Sequence, residues 1–153
     1  MDLRVTNVVV SSNLSCTLCL NHITTNICNV IYNPRKYSGM IWKHKKIKSK
    51  CFLFHTGNII CMGNDSFIKA RKDIRKYARL IAKMNYNVSL KSIKLVTQSA
   101  VATLSGKLNL IDAYKVLKGH FEPEVFHALM LKKEGMHFTC FPSGKIVITG
   151  VKV

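Results

Sequence analysis

Acidic residues are scarce in this chain: 7 Asp and Glu stand among 153 residues, against 24 Lys and Arg, for a formal charge of +17. An excess of that size repels itself and calls for a polyanionic partner or a strongly hydrated surface. Nucleic acid is the first candidate and an anionic membrane surface the second. The few carboxylates are scattered, and only Glu122 and Glu124, on either side of Pro123, lie close together. No paired acid/base arrangement emerges, so no enzyme activity and no catalytic residue are expected. Long apolar runs are missing too. No stretch reaches the roughly 18 consecutive apolar residues that a membrane span needs. Asp2 and Arg4 ahead of a short Val run do not lay out a secretory signal. The chain is therefore expected to stay in the cytosol or nucleus, where Cys16, Cys19, Cys28, Cys51, Cys61 and Cys140 read as free thiols. Cys16 and Cys19 form a C-x-x-C, but no second half of a zinc site follows at the usual interval, so neither metal nor cofactor is expected.

What is present is apolar residue, 48% of the chain, which excludes a disordered tail. The length fits one compact domain or two very small ones. An internal repeat organises it. The run from Phe52 to Gly63 resembles the run from Phe138 to Gly150: Gly57 and Gly144, Gly63 and Gly150, and Phe54 and Phe141 all lie 87 residues apart. Upstream, Tyr32-Asn33-Pro34-Arg35-Lys36-Tyr37 answers Phe121-Glu122-Pro123-Glu124-Val125-Phe126, now 89 apart. Halves of this length are too long for solenoid units. They predict a duplicated domain, residues 1–88 and 89–153, with pseudo-twofold symmetry.

Each half reads strand, helix, then short strands. The first predicts strands at Val5–Ser12, Met40–His44, Cys51–His55 and Asn58–Met62, with a turn around Thr56-Gly57 and a short helix over Leu18–Cys28. A longer helix is predicted over Asp65–Met84, capped by Asp65 or Ser66. Phe67, Ala70, Ile74, Tyr77, Ile81 and Met84 line one face, and Lys69, Lys72, Lys76, Arg79 and Lys83 the other. That basic stripe reads as a solvated face or as a dock for acidic partners. The second half predicts a strand near Ser92–Thr103, a helix near Lys107–Leu117, and strands near Ala128–Lys132, His137–Phe141 and Lys145–Thr149.

Val8-Val9-Val10, Phe52-Leu53-Phe54, Ile59-Ile60-Cys61-Met62 and Ile146-Val147-Ile148 are apolar at every position, hence on both faces of a strand. Such strands belong to sheets covered on both sides. Three predicted helices are too few for that, so one face is left for something outside the chain. A wide apolar sheet rimmed by Lys and Arg suits a DNA minor groove. A dimer closing sheet on sheet would explain the apolar runs but not the charge.

These motifs, with Arg75-Lys76-Tyr77-Ala78-Arg79 and Ser143-Gly144-Lys145-Ile146-Val147-Ile148-Thr149-Gly150, resemble the TATA-box-binding-protein family over nearly the whole chain. The resemblance implies an α+β saddle: two pseudo-symmetric repeats forming a curved antiparallel sheet, with helices on the convex face. It implies a general initiation factor in the nucleus that kinks the minor groove of AT-rich promoter DNA with two aromatic pairs, the mechanism by which this family illustrates apolar wedges in general accounts of DNA bending. The matching pairs are Tyr37 with Phe54, and Phe126 with Phe141. The minor-groove face implied is Asn7, Val9, Phe52, Ile60 and Met62 in the first half, and Thr97, Ser99, Thr139, Val147 and Thr149 in the second. Lys36, Lys43, Lys132 and Lys145 match phosphate contacts.

The implied protein partners are B-type and A-type initiation factors, with Glu122, Glu124 and Val125 docking the B-type. Several positions depart from the family pattern. Thr97 answers Asn7 where the family has a second Asn, Ser99 and Thr139 replace apolar residues, and Met62 replaces a Thr that is kept at Thr149. Strict TATA preference should blur accordingly, and a scaffold that recruits transcription factors with weak or non-specific DNA binding is the alternative. The family's final helix is absent from the sequence, so Phe138, Cys140, Ile146 and Ile148 are expected to face solvent on the outer side.

Overall fold

A computed structural model describes residues 2–151. Its elements run β1 (Asp2–Asn13), α1 (Leu20–Thr25), β2 (Val30–Ile31), β3 (Met40–Trp42), β4 (Lys50–Leu53), β5 (Asn58–Asn64), α2 (Phe67–Ala82), β6 (Lys94–Thr103), α3 (Leu110–Leu117), β7 (Leu129–Lys133), β8 (Met136–Cys140) and β9 (Lys145–Val151). The chain divides into two compact units, a first of Asn7–Val96 and a second of Met1–Thr6 with Thr97–Val153. Strand order is β2-β3-β4-β5-β1 in the first and β6-β9-β8-β7 in the second, so β3-β4-β5-β1 and β7-β8-β9-β6 follow the same plan. All pairings within the units are antiparallel. The repeat extends to detail: β1 slips register between Val8 and Val10, and β6 between Gln98 and Ala100.

In the first unit, alternation sorts the apolar runs. Cys51, Leu53, Ile59 and Cys61 are fully buried, while Phe52, Phe54, Ile60 and Met62 between them stay partly exposed. The buried set lies beneath α2, which brings Ala70, Ile74, Tyr77, Ala78 and Ile81 to the contact and turns Lys69, Lys72, Lys76, Arg79 and Lys83 outward. Burying each large apolar side chain contributes about 1.5–3 kcal/mol. Ser66 begins the helix by accepting from the Lys69 N–H.

A polar network pins α2 to the loop before β4. Buried Asp73 accepts from the Ser49 hydroxyl (2.6 Å), the Ser49 N–H (3.2 Å) and the Asn64 amide (2.7 Å). The Tyr77 hydroxyl donates to the Ser49 carbonyl at 2.7 Å and accepts from the His44 N–H at 3.1 Å. Its ring meets Trp42 edge-on at 5.0 Å.

The second unit has a smaller core, Leu110, Leu129 and Cys140, with Leu108, Ala113, Phe121, Leu131, Phe138 and Ile146 packed around it. Asn109 caps α3, accepting from the Ile111 and Asp112 N–H groups. The expectation that Phe138, Cys140, Ile146 and Ile148 face solvent is not met: Cys140 is 5% exposed because it packs with Leu110 of α3, Phe138 and Ile146 pack around the same core, and Ile148 is half-buried. The helix expected over Leu18–Cys28 is limited to α1, Leu20–Thr25. Thr24, Thr25 and Asn26 turn their side chains onto the carbonyls of Asn21 and His22, competing with the helical ladder.

Candidate nucleic-acid interface

Each unit builds its aromatic pair from two turns. In the first, the turn opened by Asn33-Pro34 closes when the Lys36 and Tyr37 N–H groups both bond the Asn33 carbonyl at 3.0 Å, which sets Tyr37 at its end. In the second, the Val125 and Phe126 N–H groups bond the Glu122 carbonyl at 3.0 and 2.9 Å, which sets Phe126 the same way. The partner rings open the β4–β5 and β8–β9 turns. The Phe54 N–H bonds the Asn58 carbonyl at 3.0 Å, and the Phe141 N–H bonds the Lys145 carbonyl at 2.9 Å. Gly57 and Gly144 close these turns at φ +91°, and a Cβ on either would collide with a backbone carbonyl, of Cys16 or of Gly106.

The rings then meet edge-on: Tyr37 and Phe54 at 5.9 Å, Phe126 and Phe141 at 6.1 Å. Phe52 adds a third ring to the first pair, 6.5 Å from Tyr37. Gly39 makes the first pair possible, since a Cβ there would stand 2.8 Å from both the Tyr37 and the Phe54 ring. Gly39 is absent from the expected site residues. Its position between the turn tyrosine and strand β3 was the available signal.

Beside each pair lies the strand face away from the helix. In the first unit it carries Val9, Phe52, Ile60 and Met62, all partly exposed, in register such that Ile41 faces Phe52 and Phe52 faces Ile60. Asn7 turns its amide oxygen to the Gly63 N–H at 2.8 Å, which leaves its NH2 as the free donor. In the second unit Met130, Thr139 and Val147 occupy the corresponding row, with Ser99 and Thr149 alongside. Thr97 Oγ1 is buried with no hydrogen-bond partner among the described residues. The Asn7–Gly63 bond has no local sequence signal, because it depends on β1 and β5 being neighbours.

Charge is unevenly held. Among the described residues the ion pairs are Lys48 and Lys69 with Asp65, while His120 Nε2 lies 3.6 Å from Glu122 Oε1. The Lys48 and Lys69 ammonium groups hold the Asp65 carboxyl below its ordinary range. Lys36, Lys132 and Lys145 are exposed and have no such partner among the described residues, whereas Lys43 is half-buried and donates to the carbonyls of His44 and Ile47. In the second unit's proline turn, Glu122 and Glu124 are exposed and Val125 is 79% exposed.

The family model described as transcription factor TFIID, or TATA-binding protein, matches residues 2–84. The chain is 32% identical over 152 residues to TATA box-binding protein-like 2 of Rattus norvegicus, covering 95% of this chain and 44% of that one. It is 30% identical over 152 residues to TATA-box-binding protein-like 1 of Entamoeba histolytica, covering 95% and 69%. It thus spans less than half of the rat relative. Among solved structures, Methanococcus jannaschii TBP matches with a TM-score of 0.89 at 27% identity, over 100% of this chain and 90% of that one. The fold is therefore the α+β, TBP-like one that the repeat and its motifs led us to expect. With the family model on more than half of its residues, and the Entamoeba relative matched over most of both chains, the chain belongs to the TATA-binding-protein family.

Proposed function

We propose that this chain is a DNA-binding transcription initiation factor that inserts Tyr37/Phe54 and Phe126/Phe141 into the minor groove of AT-rich promoter DNA and kinks it, acting in the nucleus as two repeats, 1–88 and 89–153. One observation carries the reading: two aromatic pairs are built by the same two turns in both units, each beside a partly exposed strand face turned away from the helix. Exposed rings held this way are what opening a base step requires. Lys36, Lys132 and Lys145 supply phosphate contacts, with Lys43 as a fourth. Asn7, Val9, Phe52, Ile60 and Met62 lie against one part of the groove, and Thr97, Ser99, Thr139, Val147 and Thr149 against another. Glu122, Glu124 and Val125 form a small acidic and apolar tip suited to a B-type initiation factor, and an A-type factor is the second partner.

The test is a gel-shift and bending assay on an AT-rich duplex at low salt. The wild type is expected to shift and bend it, and Phe54→Ala with Phe141→Ala to abolish bending and weaken binding by about tenfold or more, as apolar wedges are the part that opens base steps. Unchanged bending would sink the wedge mechanism. The scaffold reading is favoured by Thr97, Ser99 and Met62, which alter the positions that would touch bases. It predicts equal affinity for AT-rich and GC-rich duplexes alongside binding to a B-type factor.

A further inference from the structure

The two units carry unlike chemistry at equivalent places. We infer that they read DNA unequally: the first unit demands A·T pairs beneath it, while the second accepts G·C. This deepens the DNA-binding reading and rests on it.

The minor groove distinguishes the pairs by one group. A·T presents only acceptors, and G·C adds the guanine N2 amine, a donor. A surface that covers this amine without offering an acceptor strands a desolvated donor. The first unit does this. Val9, Phe52 and Ile60 have no acceptor, and the Met62 thioether is a weak one. Asn7 already spends one lone pair of its amide oxygen on the Gly63 N–H, an orientation that turns its NH2 outward as the group that can donate to A·T acceptors.

Besides Thr97, whose Oγ1 is buried, in place of Asn7, the second unit carries hydroxyls where the first has apolar or thioether groups: Ser99 for Val9, Thr139 for Phe52 and Thr149 for Met62. All three are at least partly exposed, and none of the three hydroxyls has a hydrogen-bond partner among the described residues. A hydroxyl donates or accepts as its neighbour requires, so it satisfies an A·T acceptor or a guanine amine alike. One exchange runs the opposite way, Ser11 against Val101, but Ser11 lines the cleft shared by Phe54 and Ile60, at the wedge end of its unit. The three hydroxyls are therefore the specificity determinants of the second half-site.

The experiment compares an A·T tract with versions in which one half or both halves are G·C, and with the same versions carrying inosine for guanine. Inosine lacks only the N2 amine. Because the protein can turn to lay its second unit on the converted half, conversion of one half should weaken binding less than about threefold. Conversion of both should weaken it about tenfold or more, the scale of a mismatched pair, and inosine should restore it. Ser99→Val with Thr139→Leu and Thr149→Val should make one converted half as damaging as two.

The reciprocal change, Phe52→Thr with Met62→Thr, should restore binding to the fully converted tract, a gain that misfolding cannot mimic. Equal loss from one and two converted halves in the wild type, or no recovery with inosine, would overturn the inference. Failure to bind the unconverted A·T tract would instead overturn the DNA-binding reading itself.

Discussion

Under α2, Cys51 and Tyr77 are kept protonated by their surroundings, and the sign of the resulting pH dependence can be worked out. Burial pushes the Cys51 thiol well above its ordinary 9.0, with the Cys61 thiol directly across the β4–β5 pair adding to the rise. Burial likewise raises Tyr77 above its ordinary 10.0, against a smaller lowering by the His44 N–H. Above pH 9 the unfolded chain loses protons that the folded chain retains, so stability rises toward lower pH across this range. The contribution is complete below pH 9 and declines as pH climbs, by about 1.4 kcal/mol per pH unit for each group still held protonated. Melting temperatures measured from pH 8 to 10.5 should fall, and Cys51→Val should make the early part of the fall shallower. An unchanged slope in the variant would show that Cys51 does not carry it.

The helices divide the two units in stability. Cys51, Leu53, Ile59 and Cys61 of β4 and β5 are fully buried beneath α2, while their repeat equivalents Phe138, Ile146 and Ile148 of β8 and β9 are only partly buried and Cys140 alone is buried. Backbone hydrogen bonds open most readily where buried apolar contacts are few. Hydrogen exchange should therefore run faster at the β8 and β9 amides than at β4 and β5, and equal protection would contradict this account.

The same elements show what the sequence made legible. The 87-residue spacing, the Phe–Gly turns and the amphipathic helix were readable because each is a local pattern with a fixed period. Strand β2 was not, since Val30–Ile31 is two residues long and exists through its pairing with β3. Nor were the Asp73–Ser49–Asn64 network and the Asn7–Gly63 bond, whose partners lie 9 to 56 residues apart and meet only after folding. The end of α1 differs from the expected one for a local reason: hydrophobic spacing continues to Cys28, but Thr25 and Asn26 bond backwards and stop the helix first.

For the whole molecule, a charge of +17 predicts attraction to any polyanion, and salt dependence separates that general pull from specific seating. Each phosphate neutralised by a lysine contributes about 0.9 to the slope of log affinity against log salt concentration on duplex DNA. Lys36, Lys132 and Lys145 are free to serve, so the triple change of these three to Gln should reduce the slope by about 2.7 at that value per contact. Lys43 differs, because its ammonium already donates to the His44 and Ile47 carbonyls. Lys43→Gln should lower the melting temperature as well as the slope. The wedge variant Phe54→Ala with Phe141→Ala should weaken binding with the slope nearly intact, since it removes apolar contact and no charge. Anionic vesicles supply the contrast: they should feel the lysine changes and be indifferent to the wedges. If the triple lysine variant retains the full slope on DNA, the phosphates are held elsewhere, and the basic outer face of α2, with Lys72, Lys76 and Arg79 exposed, is where they would have to be sought.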